Sequence, residues 1–302
     1  MFFLLFMRKT ALYITLGICS LAAAIFFTFD TSHLYSSGPE HEYYKVLQKW
    51  ELPDELEEIS GMVFIDDQTI ACIQDEKGII FLYSLKDNQI EEEIEFGDNG
   101  DYEGLALNGE TAYVLRSDGT IFEVANYLHD KKVTKYETSL TARQNIEGLC
   151  LDKNNNRLLL AVKSQGKEDR QHKGVYTFDL ASKQLNPRPF FNIDMKDPIF
   201  EDVKTNQLIK KIRPSEIGVN PGTGELYIID GEQPKILITT PEGKSKQLYL
   251  LDKKKFPQPE GLTFSPSGTL YISNEGHGEP ATILMVQLEP KPEKKPQHKE
   301  KK

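Results

Sequence analysis

The phrase Glu-Gly-Leu occurs three times in this chain, as Glu103-Gly104-Leu105, Glu147-Gly148-Leu149 and Glu260-Gly261-Leu262. Each copy is followed two residues on by an apolar side chain, Leu107, Leu151 or Phe264. Two partial copies carry serine in the leading place, Ser60-Gly61-Met62 and Ser215-Glu216-Ile217. The leading positions 60, 103, 147, 215 and 260 lie 43, 44, 68 and 45 residues apart. A period of about 40–50 residues filled with short strands marks a β-propeller, one repeat per blade. Equivalent positions of successive blades converge on one axis in such a fold, so glutamates remote in sequence are expected to meet.

The repeat interiors agree. After each leading residue come short apolar runs, at 62–65, 69–73, 78–85 and 90–96 in the first repeat and 105–107, 111–115, 120–124 and 132–136 in the second. Asp66-Asp67, Asn108-Gly109, Ser117-Asp118-Gly119, Asn154-Asn155-Asn156 and Pro266-Ser267-Gly268 supply turns. The last repeat is one strand short, and residues 43–52 (YYKVLQKWEL) form an unassigned strand-like run ahead of the first repeat. Closing the ring with that run removes an exposed edge. The expected fold is therefore all-β, a five-bladed propeller over 43–289. A six-bladed ring is the alternative, with the extra blade inside the long third interval. The surplus there is too short for a blade and reads as loops at 164–173 and 194–211, the second with room for a short helix.

Location is read from the N-terminus. Arg8 and Lys9 precede residues 10–29, a run with no charge that is long enough to cross a bilayer, while Asp30, Glu40 and Glu42 follow it. This predicts a single-pass anchor over 1–30, a tether over 31–42 and a body outside the cytoplasm. The rival reading is a signal peptide cleaved after Ala22-Ala23-Ala24. Ile18 before Cys19 argues against a lipidated cysteine, and Met7 is a plausible start. The formal net charge is −10, and the tail from Lys291 holds six lysines against two glutamates, which leaves the rest near −14. So acidic a body repels phosphate backbones, which excludes nucleic acid as a partner. The Lys/Pro tail over 290–302 reads as a solvated extension. Cys72 and Cys150 fall in strands and read as small buried hydrophobes, without zinc spacing or a disulfide framework.

The leading glutamates sit where each innermost strand begins, so Glu103, Glu147 and Glu260 should point into one mouth of the channel. Carboxylates brought so close either take up protons or share a cation. Oxygen ligands without histidine or cysteine select a hard ion, and calcium tolerates irregular geometry better than magnesium. Ser60, Ser215 and Glu58, and the second-strand ends Asp75, Glu76, Asp230, Asn274 and Glu275, are the further oxygen donors. The other reading makes the glutamates blade spacers that accept neighbouring N–H groups. Lys163, Arg116 and Arg213 are placed either to hold an anion or to pair with carboxylates.

The segments EISGM (58–62), QDE (74–76), GDNGDYEGLAL (97–107), NIEGLCLD (145–152), RPSEI (213–217), FPQPEGLTF (256–264) and LYISNEG (270–276) resemble the SdiA-regulated, YjiK-like family of bacterial proteins. The resemblance implies a five-bladed propeller behind an N-terminal membrane segment, distantly similar to NHL-repeat proteins, with bound calcium. It brings no established reaction. The expected function is a calcium-binding, membrane-anchored module, most simply a monomer, that presents a surface to a protein or small molecule. A calcium-dependent lactonase or phosphoesterase is the alternative, and His277 is the one histidine placed near the mouth.

Overall fold

The computed structural model describes residues 42–164, 171–200 and 211–291. The expected anchor, most of the tether and nearly all of the tail lie outside them. Among the described residues no helix is long and apolar enough to cross a membrane.

The chain opens with β1 (Tyr44–Glu51) and then lays down blade one as β2 (Ile59–Phe64), β3 (Thr69–Gln74), β4 (Ile79–Ser84) and β5 (Gln89–Glu95). Blade two is β6 (Tyr102–Asn108), β7 (Thr111–Arg116), β8 (Ile121–Ala125) and β9 (Lys132–Tyr136). Blade three is β10 (Ile146–Asp152), β11 (Arg157–Val162), β12 (His172–Asp179), and a divided outer strand, β13 (Gln184–Leu185) and β14 (Phe191–Asp194). Pro187 and Pro189 account for the division, since proline cannot donate to a sheet ladder. Blade four is β15 (Pro214–Val219), β16 (Leu226–Asp230), β17 (Lys235–Thr239) and β18 (Ser245–Leu250). Blade five is β19 (Pro259–Phe264), β20 (Leu270–Asn274) and β21 (Thr282–Leu288), and β1 completes it by pairing antiparallel with β21. The long third interval holds no sixth sheet among its described residues.

The innermost strands β2, β6, β10, β15 and β19 pack each on the next, and β19 packs on β2, so the ring is closed. The apolar faces of the sheets meet between blades. Between blades one and two, Phe96, Tyr102 and Phe122 form edge-to-face pairs with centroids 5.0–5.7 Å apart. Between blades five and one, Trp50 and Tyr271 lie in one buried cluster with Phe81 and Tyr83. Trp50 Nε1 also donates to Leu85 O at 2.8 Å, tying the closing strand to blade one. Burying such an aromatic contributes about 1.5–3 kcal/mol, so β1 does more than cover an edge.

Candidate functional site

Each innermost strand carries a register shift at its repeat position. The ladder skips between Ile59 and Gly61, Tyr102 and Gly104, Ile146 and Gly148, Pro214 and Glu216, and Pro259 and Leu262. Ser60, Glu103, Glu147, Ser215 and Glu260 therefore all sit at bulges, which bend a strand locally and redirect a side chain. The glycine that follows is needed because the strands crowd one another. A Cβ on Gly104 would lie 2.4 Å from Leu149 Cβ, and one on Gly61 or Gly148 would lie 2.9 Å from the Leu105 or Ile217 nitrogen. Blade four departs from this pattern. Glu216 takes the glycine's place, fully buried, and its Oε1 accepts from Leu149 N at 2.7 Å and Ile217 N at 2.8 Å.

The bulge residues divide by chemistry. Ser60 Oγ donates to Tyr102 O at 2.7 Å and Ser215 Oγ to Pro259 O at 2.8 Å. Each serine thus clips its blade to the next, the spacer role considered for the glutamates. Glu103 and Glu260 accept no hydrogen bond from the described residues. Glu147 Oε1 takes one from Asn145 Nδ2 at 2.6 Å, and its Oε2 lies 2.6 Å from Lys163 Nζ. Lys163 is the positive charge shared by all three glutamates: Glu147, Glu260 and Glu103 raise its pKa against the opposing effect of burial.

Burial is the main reason these carboxyls resist ionisation. Glu103 is pushed up to about 10 by burial, then by Glu147, Asp101 and Glu260. Glu260 rises to about 8 and Glu147 to about 7, again through burial, with Lys163 pulling both down. Glu216 lies well above the usual carboxylate range for the same cause, opposed by its two backbone N–H bonds. Near neutrality this end of the channel holds protons as well as charge.

A second tier stands at the ends of the second strands, where Asp75, Ser117, Lys163 and Glu275 follow β3, β7, β11 and β20. Their backbone N–H groups donate to Glu58 O, Asp101 O, Asn145 O and Gln258 O. This tier brings together a set the sequence scattered. Glu58, Asp75 and Glu275 each offer a carboxylate oxygen within 4.8 Å of the others, the one such group of three among the described residues. Glu103, Glu147 and Glu260 are coupled through their charges and Lys163 without forming such a group. Asp75 is raised to about 7 by burial, then by Glu58, Glu275 and Glu76. Glu275 accepts from Gln258 Nε2, and Gln258 Oε1 meets His277 Nε2. Glu76 is exposed beside the group, its backbone N–H bound to Gln74 Oε1.

Two buried side-chain oxygens, Asp75 Oδ1 and Asn274 Oδ1, have no hydrogen-bond donor, and a third, Glu147 Oε2, is met by the Lys163 ammonium at 2.6 Å. All three stand at this end of the channel, and all are acceptors. An unpaired buried acceptor costs about 1–3 kcal/mol. An all-oxygen set with spare lone pairs and partial solvent access suits a hard cation, so the residues fit calcium.

The other candidates are engaged. Arg116 pairs with Asp118 at 2.8 Å and Arg213 with Glu232 at 2.7 Å, so the pairing role describes both. Asp230 caps the turn after β16 through Glu232 N and Gln233 N, receives Arg213 N at 2.9 Å and holds the buried Lys235 at 2.5 Å. Sequence reasoning missed two residues as members of the carboxylate cluster. Glu216 was visible as the one charged residue in the repeat's glycine place. Asp101, whose carboxylate meets Ser117 Oγ, stands two residues before a bulge, as Glu58 does.

The profile of the SdiA-regulated family matches residues 36–280. The chain belongs to the SdiA-regulated family. No curated protein matches it in sequence. Among solved structures, the glutaminyl cyclase of Myxococcus xanthus superposes with a TM-score of 0.57 at 15% identity, over 82% of this chain and 96% of that one. The virginiamycin B lyase of Staphylococcus aureus gives 0.43 at 12%, over 80% and 73%. A streptogramin B lyase gives 0.45 at 11%, over 82% and 100%. The likeness to the cyclase is one of fold alone, and the two weaker superpositions carry no argument.

Proposed function

We propose that this SdiA-regulated protein is a calcium-binding propeller of the bacterial envelope, membrane-anchored through its N-terminus and acting as a binding module. Glu58, Asp75 and Glu275 are the residues that would hold the ion. The clustering of the unpaired buried acceptors at this one end of the channel carries the reading. A bound calcium would supply positive charge to these oxygens and leave a face for a partner's carbonyl or carboxylate. In its absence Asp75, raised to about 7 by burial, is partly protonated near neutrality, so binding should release protons and weaken as pH falls below about 7.

Lys163 acts as the built-in counter-charge for Glu103, Glu147 and Glu260, which leaves the group Glu58, Asp75 and Glu275 as the place for a mobile cation. The hydrolase alternative needs a base free to activate water beside the ion; Glu147 is held by Lys163, and burial pushes the Glu260 carboxyl up to about 8.

Calorimetric titration of the full chain with calcium and magnesium, with thermal melts alongside, tests the assignment. Saturation at 100 times Kd should stabilise the fold by about 2.7 kcal/mol. Asp75→Asn should weaken binding by more than about tenfold, the smallest loss typical of a mere outer-shell partner, while Glu103→Gln should change it little. Reversal of those two effects would move the ion to the axis. No response to millimolar calcium would sink the reading.

A further inference from the structure

The innermost strands run from the bulges to a second opening with a different lining. Met62, Phe64, Leu107, Leu151, Val219 and Phe264 surround a cavity of about 260 Å³ there. Phe64, Leu107, Leu151, Val219 and Phe264 keep part of their surface exposed. A second cavity of about 360 Å³ adjoins it, sharing Phe264 and reaching Tyr227, Leu270, Val286 and Leu47.

Both exposed large hydrophobic residues of the described chain belong to this end. Leu47 is 53% exposed at a bulge in the first half of β1, and Leu128 is 37% exposed in the turn between β8 and β9. Single exposed leucines are ordinary on a soluble protein. Here Leu47 lines the second opening and Leu128 lies in a turn at the same end of the ring, so the apolar surface of that end extends beyond the channel.

The chain's course says what kind. β21 runs from the acidic end to the apolar end and finishes at Leu288, beside Tyr44, where β1 starts. The polypeptide therefore both arrives and leaves at the apolar end. Upstream in sequence lies the uncharged run 10–29, and downstream lies the lysine-rich stretch from Lys291. The mouth carboxylates Glu58, Asp75, Glu103, Glu147, Glu260 and Glu275 stand at the opposite end, while the turns of the apolar end mix exposed acids (Asp66, Asp67, Asp87, Glu110, Asp130) with Lys86, Lys131 and Lys132. Lysines close to a membrane are drawn to anionic headgroups, and apolar side chains enter the interface.

We infer that the apolar end of the propeller is a lipid-facing surface that rests on an anionic bilayer and turns the acidic mouth away from it. The inference rests on the membrane-anchored reading above and adds which face meets the lipid.

Bromolipid quenching tests it on the full chain reconstituted in phosphatidylcholine/phosphatidylglycerol vesicles. Trp50 is the single tryptophan and is buried, so it gives a constant background. Leu128→Trp should emit at shorter wavelength and lose emission when the acyl chains are brominated. Lys77→Trp, in an exposed turn at the acidic end, should do neither. A chain that does not float with the vesicles overturns the membrane reading and this inference together. A chain that floats with the Leu128→Trp probe unquenched, or the Lys77→Trp probe quenched as strongly, overturns the facing surface alone. A dimer that Leu128→Asp dissolves, with the Leu128→Trp probe unquenched, would assign the surface to a second copy instead.

Discussion

The two ends of the channel are made by the same five strands, a few residues apart, and they have opposite chemistry. In β6 the distance from Glu103 to Leu107 spans the whole change. At one end Glu103, Glu147 and Glu260 share the charge of Lys163, and Asp75 and Glu275 stand at the ends of the second strands. At the other the strands finish in Leu107, Leu151, Val219 and Phe264. The difference teaches how a propeller uses its symmetry. Each blade repeats one position, so a single choice of residue type becomes a ring, and two choices four residues apart become two unlike faces. The waist between them is crowded at Gly61, Gly104, Gly148 and Gly261, with Glu216 in the place of the glycine in blade four.

The hardest test of this contrast is Lys163→Met. It leaves Glu147 without its ion-pair partner in a site where the two side chains are 4% and 15% exposed. Breaking a buried pair in this way should cost about 3–5 kcal/mol, read from the denaturation midpoint at neutral pH. Lys163→Met with Glu147→Gln should recover part of that loss. The control is Arg116→Met at the rim, where the Asp118 pair is about one-third exposed and the expected loss stays below about 1 kcal/mol. Equal losses at both sites would mean that the acidic end is solvated and the contrast with the apolar end overstated.

A gentler test uses protons. The folded pKa values of Glu147, Glu260 and Glu103, about 7, 8 and 10, lie above the unfolded value of about 4.3. The folded state then binds more protons than the unfolded one between those limits, so stability should be highest near the unfolded value and fall as pH climbs towards 10. Melting temperatures recorded in chelator from pH 5 to pH 9 should decline. Glu216→Gln keeps an acceptor for Leu149 N and Ile217 N while removing one of the titrating groups, and should flatten the decline. Rising stability across that range would show these carboxyls to be ionised in the fold.

The smallest expected effect lies at the apolar end. Leu128→Ser should change stability by no more than about 0.5 kcal/mol, the usual range for an exposed site, while reducing retention on anionic vesicles. A larger loss of stability would make Leu128 part of the core.

The repeat spacing alone determined that this chain forms a ring of blades with glutamates at its axis. Residues 43–52 could be matched to the incomplete last repeat because a sheet edge without a partner is costly, and β1 fills that place over Tyr44–Glu51. The anchor and tail expectations fall outside the described residues. What no linear reading could supply was which carboxylates meet. Glu58, Asp75 and Glu275 belong to blades one and five, which adjoin only because the ring closes, and the repeat marks their positions without showing that their oxygens come within 4.8 Å. Lys163 shows the same limit. Its charge was plain in the sequence, but its choice of Glu147 over an outside anion depends on the register of β10 against β11. Periodicity is a property of one chain read along its length and survives in the sequence. Proximity across a closed ring, and the desolvation that comes with it, arises only when distant blades share one interior.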